Sequence, residues 1–141
     1  MTYKFEKLET WQLSLNYVDS AYAVGERLPK SEDFNLKSQL VRAATSVSLN
    51  IAGGSTGQTD IEFSRFVGLA LRSLVETVAC LRLISRRRFR VDSRLMDQME
   101  RQAELLFSKL QALRKALDPQ KRWVRESETV IDENSLDKTN V

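Results

Sequence analysis

The sequence predicts an all-α protein, an antiparallel up-down four-helix bundle. Glycine and proline are scarce, with five and two among 141 residues, which favours helix over strand. Apolar residues recur at helical spacing in four segments, and these segments are separated by proline, glycine and helix-capping residues. A chain of this length forms one domain and buries a core without disulfides or metal.

The first predicted helix, from about residue 9 to residue 27, ends before Pro29 and carries two apolar stripes on roughly opposite sides. One stripe consists of Leu8, Trp11, Leu15, Val18 and Tyr22. The other consists of Leu13, Tyr17, Ala21, Val24 and Leu28. A bundle helix normally buries one face, so the second stripe needs a partner. That partner is either a second subunit, with contact residues Trp11, Leu13, Tyr17 and Val24, or the tail or a loop of the same chain.

The second predicted helix follows Ser31 as N-cap and ends at Gly53 and Gly54, where a left-handed residue can close it. Its core stripe consists of Leu36, Leu40, Ala43, Val47 and Ile51. Polar side chains flank this stripe and include Gln39, Arg42, Ser46 and Asn50. They form either a solvated shoulder or a hydrogen-bond network that fixes helix register, with Ser73 and Glu76 as partners.

The third predicted helix opens at the capping box Thr59–Glu62 and runs to about residue 87. Its inward face consists of Phe63, Val67, Ala70, Leu74, Thr77 and Leu81. The fourth follows Asp92 as N-cap, ends near Asp118 and has one narrow stripe, consisting of Leu95, Met99, Leu106, Leu110, Leu113 and Leu117. The predicted bundle domain therefore spans residues 1–118. Residues 119–141 are predicted to be a polar, flexible tail.

Composition argues against catalysis and metal binding. The chain has no histidine, which excludes histidine-dependent triads and the usual zinc sites. The carboxylates Asp97, Glu100 and Glu104 share the side of the fourth helix opposite its leucine stripe, where we expect a solvated face. We expect no catalytic residue, no metal and no cofactor. With one cysteine, Cys80, and no signal-peptide or membrane-span pattern, we expect a cytoplasmic protein.

The strongest local signal is a cluster of arginines. Residues 82 to 94 contain six arginines and one acid, and the first 117 residues carry +5 while residues 118–141 carry −2. Guanidinium groups bind phosphate oxygens in pairs and stay charged at any relevant pH. The candidate phosphate-binding residues are Arg65, Arg72, Arg82, Arg86, Arg87, Arg88 and Arg90. The alternative is a solvated helix end, where cations favour the negative end of the helix dipole.

Three motifs resemble one known family. They are the opening FEKLETWQ at residues 5–12, the run QLVRAATSVSLNIA at residues 39–52, and EFSRF followed by SLVET at residues 62–66 and 73–77. Together they resemble the four-helix-bundle proteins often called 23S rRNA intervening-sequence proteins, over roughly residues 3–117. The sequence departs from the family pattern at Gly53, where a Glu is usual, and at Arg72, where a Gly is usual.

The resemblance implies a ring-like homo-oligomer, a pentamer, without catalytic residues. It also places nucleic acid nearby, because some members are encoded within interruptions of rRNA genes and related proteins are accessory subunits of diversity-generating retroelements. The predicted function is therefore a non-catalytic nucleic-acid-binding accessory protein, with RNA or DNA and a reverse transcriptase as candidate partners. The alternative is a protein-interaction scaffold that docks a partner enzyme without binding nucleic acid itself.

Overall fold

Four helices make up most of the described chain. The computed structural model describes residues 1–117, so the predicted tail and the expected helix end near residue 118 lie outside it. The helices are α1 (Glu9–Glu26), α2 (Leu36–Ser55), α3 (Asp60–Arg86) and α4 (Ser93–Ala116), with 3-10 turns at Lys4–Lys7 and Lys30–Glu32. Residues 1–117 contain no strand, which confirms the all-α prediction. Over the same range, none of the helices has the length and apolar character needed to cross a bilayer.

The helices form a closed square in which each packs against two neighbours, in the order α1, α2, α3, α4 and back to α1. Contacts across the pairs run in opposite directions. For example, Glu9 pairs with Lys109 at 3.2 Å, while Ser20 donates a hydrogen bond to Gln102 at 2.6 Å. This antiparallel arrangement gathers the 27–35 connection and the 87–92 turn at one end of the bundle. The 56–59 connection lies at the other end.

The predicted inward faces of α2 and α3 are fully confirmed, since every residue of both sets is buried. In α4, Met99, Leu106 and Leu110 are buried, while the outer members of the predicted stripe are half-buried. At the centre, the Tyr17 hydroxyl lies 2.6 Å from Thr77 Oγ1. Thr77 donates its own hydroxyl hydrogen to the Leu74 carbonyl, so Tyr17 is the donor to Thr77. Burial raises the pKa of Tyr17 to about 12, which keeps the phenol neutral in the core.

The prediction that Tyr17 and Val24 contact a second subunit is wrong. Both side chains are fully buried inside the single chain, and Leu13 is half-buried against the same core. A helical wheel shows two apolar stripes on α1 but cannot say which of them faces inward. The structure turns the Tyr17 stripe inward. In the other stripe Leu15 and Tyr22 are exposed, while Trp11 is half-buried and packs edge-on against the Phe5 ring, with the ring centres 4.7 Å apart.

The predicted start of α2 is wrong, and although α2 ends at Ser55, next to the predicted end, the predicted left-handed glycine does not close it. Ser31 lies in a 3-10 turn, and α2 begins at Leu36 after Asn35, whose side chain makes no capping bond. At the other end, Gly53 and Gly54 are helical, since no described glycine has a positive φ. Gly54 serves helix packing instead. A Cβ at position 54 would lie 2.6 Å from the Cβ of Phe66 and 2.9 Å from the Phe63 ring.

The adjacent glycines provide a matched pair of substitutions. Gly54→Ala places a methyl group against the Cβ of Phe66 on α3. We therefore expect this substitution to lower the free energy of unfolding by about 1–3 kcal/mol. Gly53→Ala meets only the Phe66 ring edge at 3.6 Å. It is expected to raise the free energy of unfolding by about 0.5–1 kcal/mol, because alanine restricts the unfolded chain. Urea denaturation of both variants measures the difference, and equal effects would contradict the packing role of Gly54.

Candidate nucleic-acid interface

The turn between α3 and α4 alternates anchored and exposed side chains. Phe89 and Val91 are half-buried and pack against the core. Arg88 and Arg90, which alternate with them, are exposed. The two apolar residues therefore fix the turn to the bundle, and the arginines between them project into solvent.

Arg88 follows the end of α3 and has an unusual backbone conformation. Its φ is 58°, in the left-handed region that normally selects glycine after a helix. The Arg87 N–H donates to the Leu83 carbonyl at 2.9 Å, and the Arg88 N–H donates to the Ser85 carbonyl at 3.2 Å. An arginine thus holds a position where a glycine would cost less, and its side chain remains exposed.

Asp92, the one acid among residues 82–94, already accepts a hydrogen bond. The Asp92 carboxylate accepts a hydrogen bond from the Arg94 backbone N–H at 2.9 Å, which confirms Asp92 as the N-cap of α4. Thr59 is likewise confirmed as the N-cap of α3, since it accepts from the Glu62 N–H at 3.1 Å. Among residues 1–117, no ion pair involves the exposed residues that we call the arginine turn, namely Arg86, Arg87, Arg88 and Arg90.

Arg82 differs from the arginine turn because it has a partner. Both of its terminal nitrogens bond to the Glu100 carboxylate of α4, one of them at 3.3 Å. These hydrogen bonds raise the pKa of Arg82 above its ordinary value. A phosphate at this position would compete with a carboxylate that is already in place. The predicted role of Arg82 therefore requires the phosphate to share or displace Glu100.

Arg65 and Arg72 are exposed on the outer side of α3, far from the turn. At 1.5 Å per residue, Arg72 lies about 21 Å from Arg86 along the helix, and Arg65 about 31 Å. The Arg65 guanidinium sits 5.7 Å from the centre of the Phe66 ring. The structure thus does not gather these two arginines with the arginine turn. A nucleic acid would reach Arg72 as well only by lying along α3 for about six base pairs.

Part of the predicted polar network exists. Ser73 donates to the Ser46 hydroxyl at 3.0 Å, joining α3 to α2, and Asn50 donates to the same hydroxyl at 3.0 Å. Gln39 is not a member, because its amide bonds to the Asn35 side chain one helical turn earlier. Glu76 is exposed and makes no hydrogen bond within residues 1–117. The network therefore consists of Ser46, Asn50 and Ser73.

Apolar side chains are exposed on the outer sides of both α1 and α2. Gly25 packs against Lys37 and Val41, which places α2 beside that side of α1. The neighbouring outer positions are apolar and partly or largely exposed, with Leu15 at 41%, Tyr22 at 50% and Leu49 at 65%. We call this surface the α1–α2 flank; it consists of Trp11, Leu15, Val18, Tyr22 and Leu49. The apolar spacing of the sequence does not single out Leu49, because this residue is an isolated apolar side chain on the polar side of α2.

Within the described residues, no three potential metal ligands lie close enough to hold an ion. Comparison with protein-family models gives a match to a family described as 23S rRNA-intervening sequence protein, over residues 6–112. The match begins just before α1 and ends within α4, so it covers the bundle. No curated protein matches the chain.

Proposed function

The chain belongs to the 23S rRNA-intervening sequence protein family, and from this premise we propose that it is a non-catalytic, homo-oligomeric accessory protein that binds nucleic-acid phosphates. The arginine turn carries the proposal. It presents four exposed guanidinium groups on a turn that two apolar side chains fix in place. Of the nearby carboxylates, Asp92 caps α4 and Glu100 forms an ion pair with Arg82.

The chemistry of this surface favours binding to the backbone of RNA or DNA rather than reading of bases. Guanidinium forks match pairs of phosphate oxygens, and a turn with exposed side chains can follow the backbone without entering a groove. Such contacts give affinity without sequence preference and depend strongly on salt. Arg72 and Arg65 would extend the contact along α3.

The α1–α2 flank supports the proposed assembly. Leu15, Tyr22 and Leu49 leave apolar surface in water that a second copy of the chain would cover. A surface on the side of two helices suits repeated side-by-side contacts, and these close into a ring when the rotation per copy is right. The proposed number of copies, five, comes from the resemblance alone. A ring would repeat the arginine turn once per subunit and so multiply a weak phosphate contact.

The proposed partners are RNA or DNA, such as an rRNA intervening sequence, and a reverse transcriptase. A second candidate function, a scaffold that docks a partner enzyme, is favoured by the outer face of α3. There Leu69, Val75 and Leu83 are exposed among charged residues. Such a mixed apolar and charged face is typical of protein-binding surfaces as well as of solvated helices.

Salt dependence separates the two functions. Binding of a fluorescently labelled single-stranded RNA is measured by fluorescence anisotropy at salt concentrations from about 50 to about 300 mM. Four phosphate contacts from the arginine turn predict a slope of about −3 in a plot of log affinity against log salt concentration. A flat plot or no binding at low salt would contradict phosphate binding and favour the scaffold.

A further inference from the structure

A groove between α3 and α4 lies open to solvent. It encloses about 410 Å³ and has an apolar floor that includes Leu74, Val78, Ala103 and Phe107. It runs from Gln111, near the end of α4, to the pair formed by Arg82 and Glu100. At 1.5 Å per residue this length is about 17 Å.

The charges along this groove follow an order. Starting from the end of α4, Arg114 lies beside Gly68 of α3, just beyond Gln111. The rim is then acidic at Glu104, and the ion pair of Arg82 and Glu100 follows before the arginine turn at the same end of the bundle. A segment that fits the groove in this direction should therefore place a basic side chain near Glu104, carry an apolar side chain for the floor, and end acidic.

The chain itself continues with such a segment directly after α4. Residues 121–125 contain three basic side chains and the apolar pair Trp123 and Val124. Residues 126–137 contain five acidic side chains and no basic one. We propose that residues 119–137 of the same chain occupy the α3–α4 groove, with Trp123 over its apolar floor and the following carboxylates against the arginine turn.

The length of chain agrees with this register. From Leu117, Glu104 lies about 20 Å back along α4 and Glu100 about 26 Å. An extended chain advances at most about 3.3–3.6 Å per residue, so six residues reach the level of Glu104 and eight reach that of Glu100. These residues are Trp123 and Arg125. Pro119 suits the required reversal, because proline cannot continue a helix and is common just after its end.

The docked segment would regulate phosphate binding. Carboxylates from residues 126–137 and phosphates of a nucleic acid would compete for the same guanidinium groups, and the nucleic acid would have to displace the segment. This competition rests on the proposed function, whereas the docking of the segment does not.

Docking is tested by the fluorescence of Trp123 in the full chain, obtained as the difference between the wild type and Trp123→Phe. We expect Trp123 to emit at shorter wavelength than free tryptophan and to be shielded from acrylamide. Val75→Glu, which places a carboxylate in the groove at a position 55% exposed, should remove that shielding. Ile61→Glu, on the same helix outside the groove, should leave it intact. A Trp123 as accessible as free tryptophan, or shielding unaffected by Val75→Glu, would overturn the proposal.

Competition is tested by neutralising three acids of the segment through Glu126→Gln, Glu128→Gln and Asp132→Asn. The control neutralises three exposed acids elsewhere, through Asp19→Asn, Asp60→Asn and Glu76→Gln, so both proteins gain the same net charge. The segment variant should bind RNA about three- to tenfold more tightly than the control. Equal affinities would overturn the competition. Failure of every protein to bind RNA would instead refute the proposed function, since the tryptophan measurement decides the docking independently.

Discussion

Replacing Arg86 and Arg87 by Ala and Arg88 by Gly is expected to weaken RNA binding roughly 100-fold at low salt, at about 1 kcal/mol for each lost phosphate contact. The three side chains are exposed, so their removal leaves the core unchanged. Glycine is chosen at position 88 because the backbone there has a φ of 58°, which alanine would adopt at a cost. Anisotropy with labelled RNA measures the affinity, and circular dichroism verifies the fold.

The matched control replaces three exposed cations outside the turn, through Lys7→Gln, Arg101→Gln and Lys115→Gln. It removes the same charge, so a general electrostatic effect would weaken both proteins equally. We expect the control to lose only a fewfold in affinity and to keep most of its salt slope. For single-stranded RNA, the slope of log affinity against log salt concentration should be less negative by about 2 in the turn variant. Equal losses in the two proteins would refute the arginine turn as the binding site.

The second large effect concerns assembly. Leu15→Glu combined with Tyr22→Glu is expected to weaken association of subunits at least about 100-fold, because each position loses about 1.5–3 kcal/mol of apolar burial and gains a charge. The protein should then have the single-chain mass of 16.2 kDa in light scattering. Neither side chain is buried in the single chain, so the bundle should stay folded.

The control for assembly is Leu105→Glu, an apolar-to-acid change on α4 at a position that is 48% exposed and outside the α1–α2 flank. It should leave the assembled mass unchanged. A double variant that retains the wild-type mass would show that the flank is not the interface.

The sequence predicts most of the fold because α2 and α3 each carry one apolar stripe, which leaves one way to face the core. It fails for α1, where two stripes satisfy the same criterion and only the packed bundle selects Tyr17 over Trp11 as the inward side. It also fails at Gly54. The need for glycine there comes from Phe66 on the next helix, a contact that local signals do not reveal.

The candidate site is likewise only partly predictable from the sequence. The arginine turn is visible in the sequence because its four members fall within residues 86–90 and polar residues mark the helix ends on either side. The pairing of Arg82 with Glu100 is not visible, since the partner lies 18 residues away on another helix. Gln39 and Ser46 lie seven residues apart and therefore on the same side of α2, so the sequence cannot say which of them finds a partner. The packed bundle brings Ser73 of α3 to Ser46, whereas Gln39 bonds to Asn35, the residue just before α2.

The central claim, an oligomer that binds nucleic-acid phosphates, is tested most directly by light scattering of the wild-type chain at low and high salt, with and without a short structured RNA. We predict one species at a multiple of 16.2 kDa, with five copies expected, that gains the mass of RNA at low salt and loses it at high salt. A single-chain mass under all four conditions, with no RNA taken up, would contradict both the assembly and the phosphate binding.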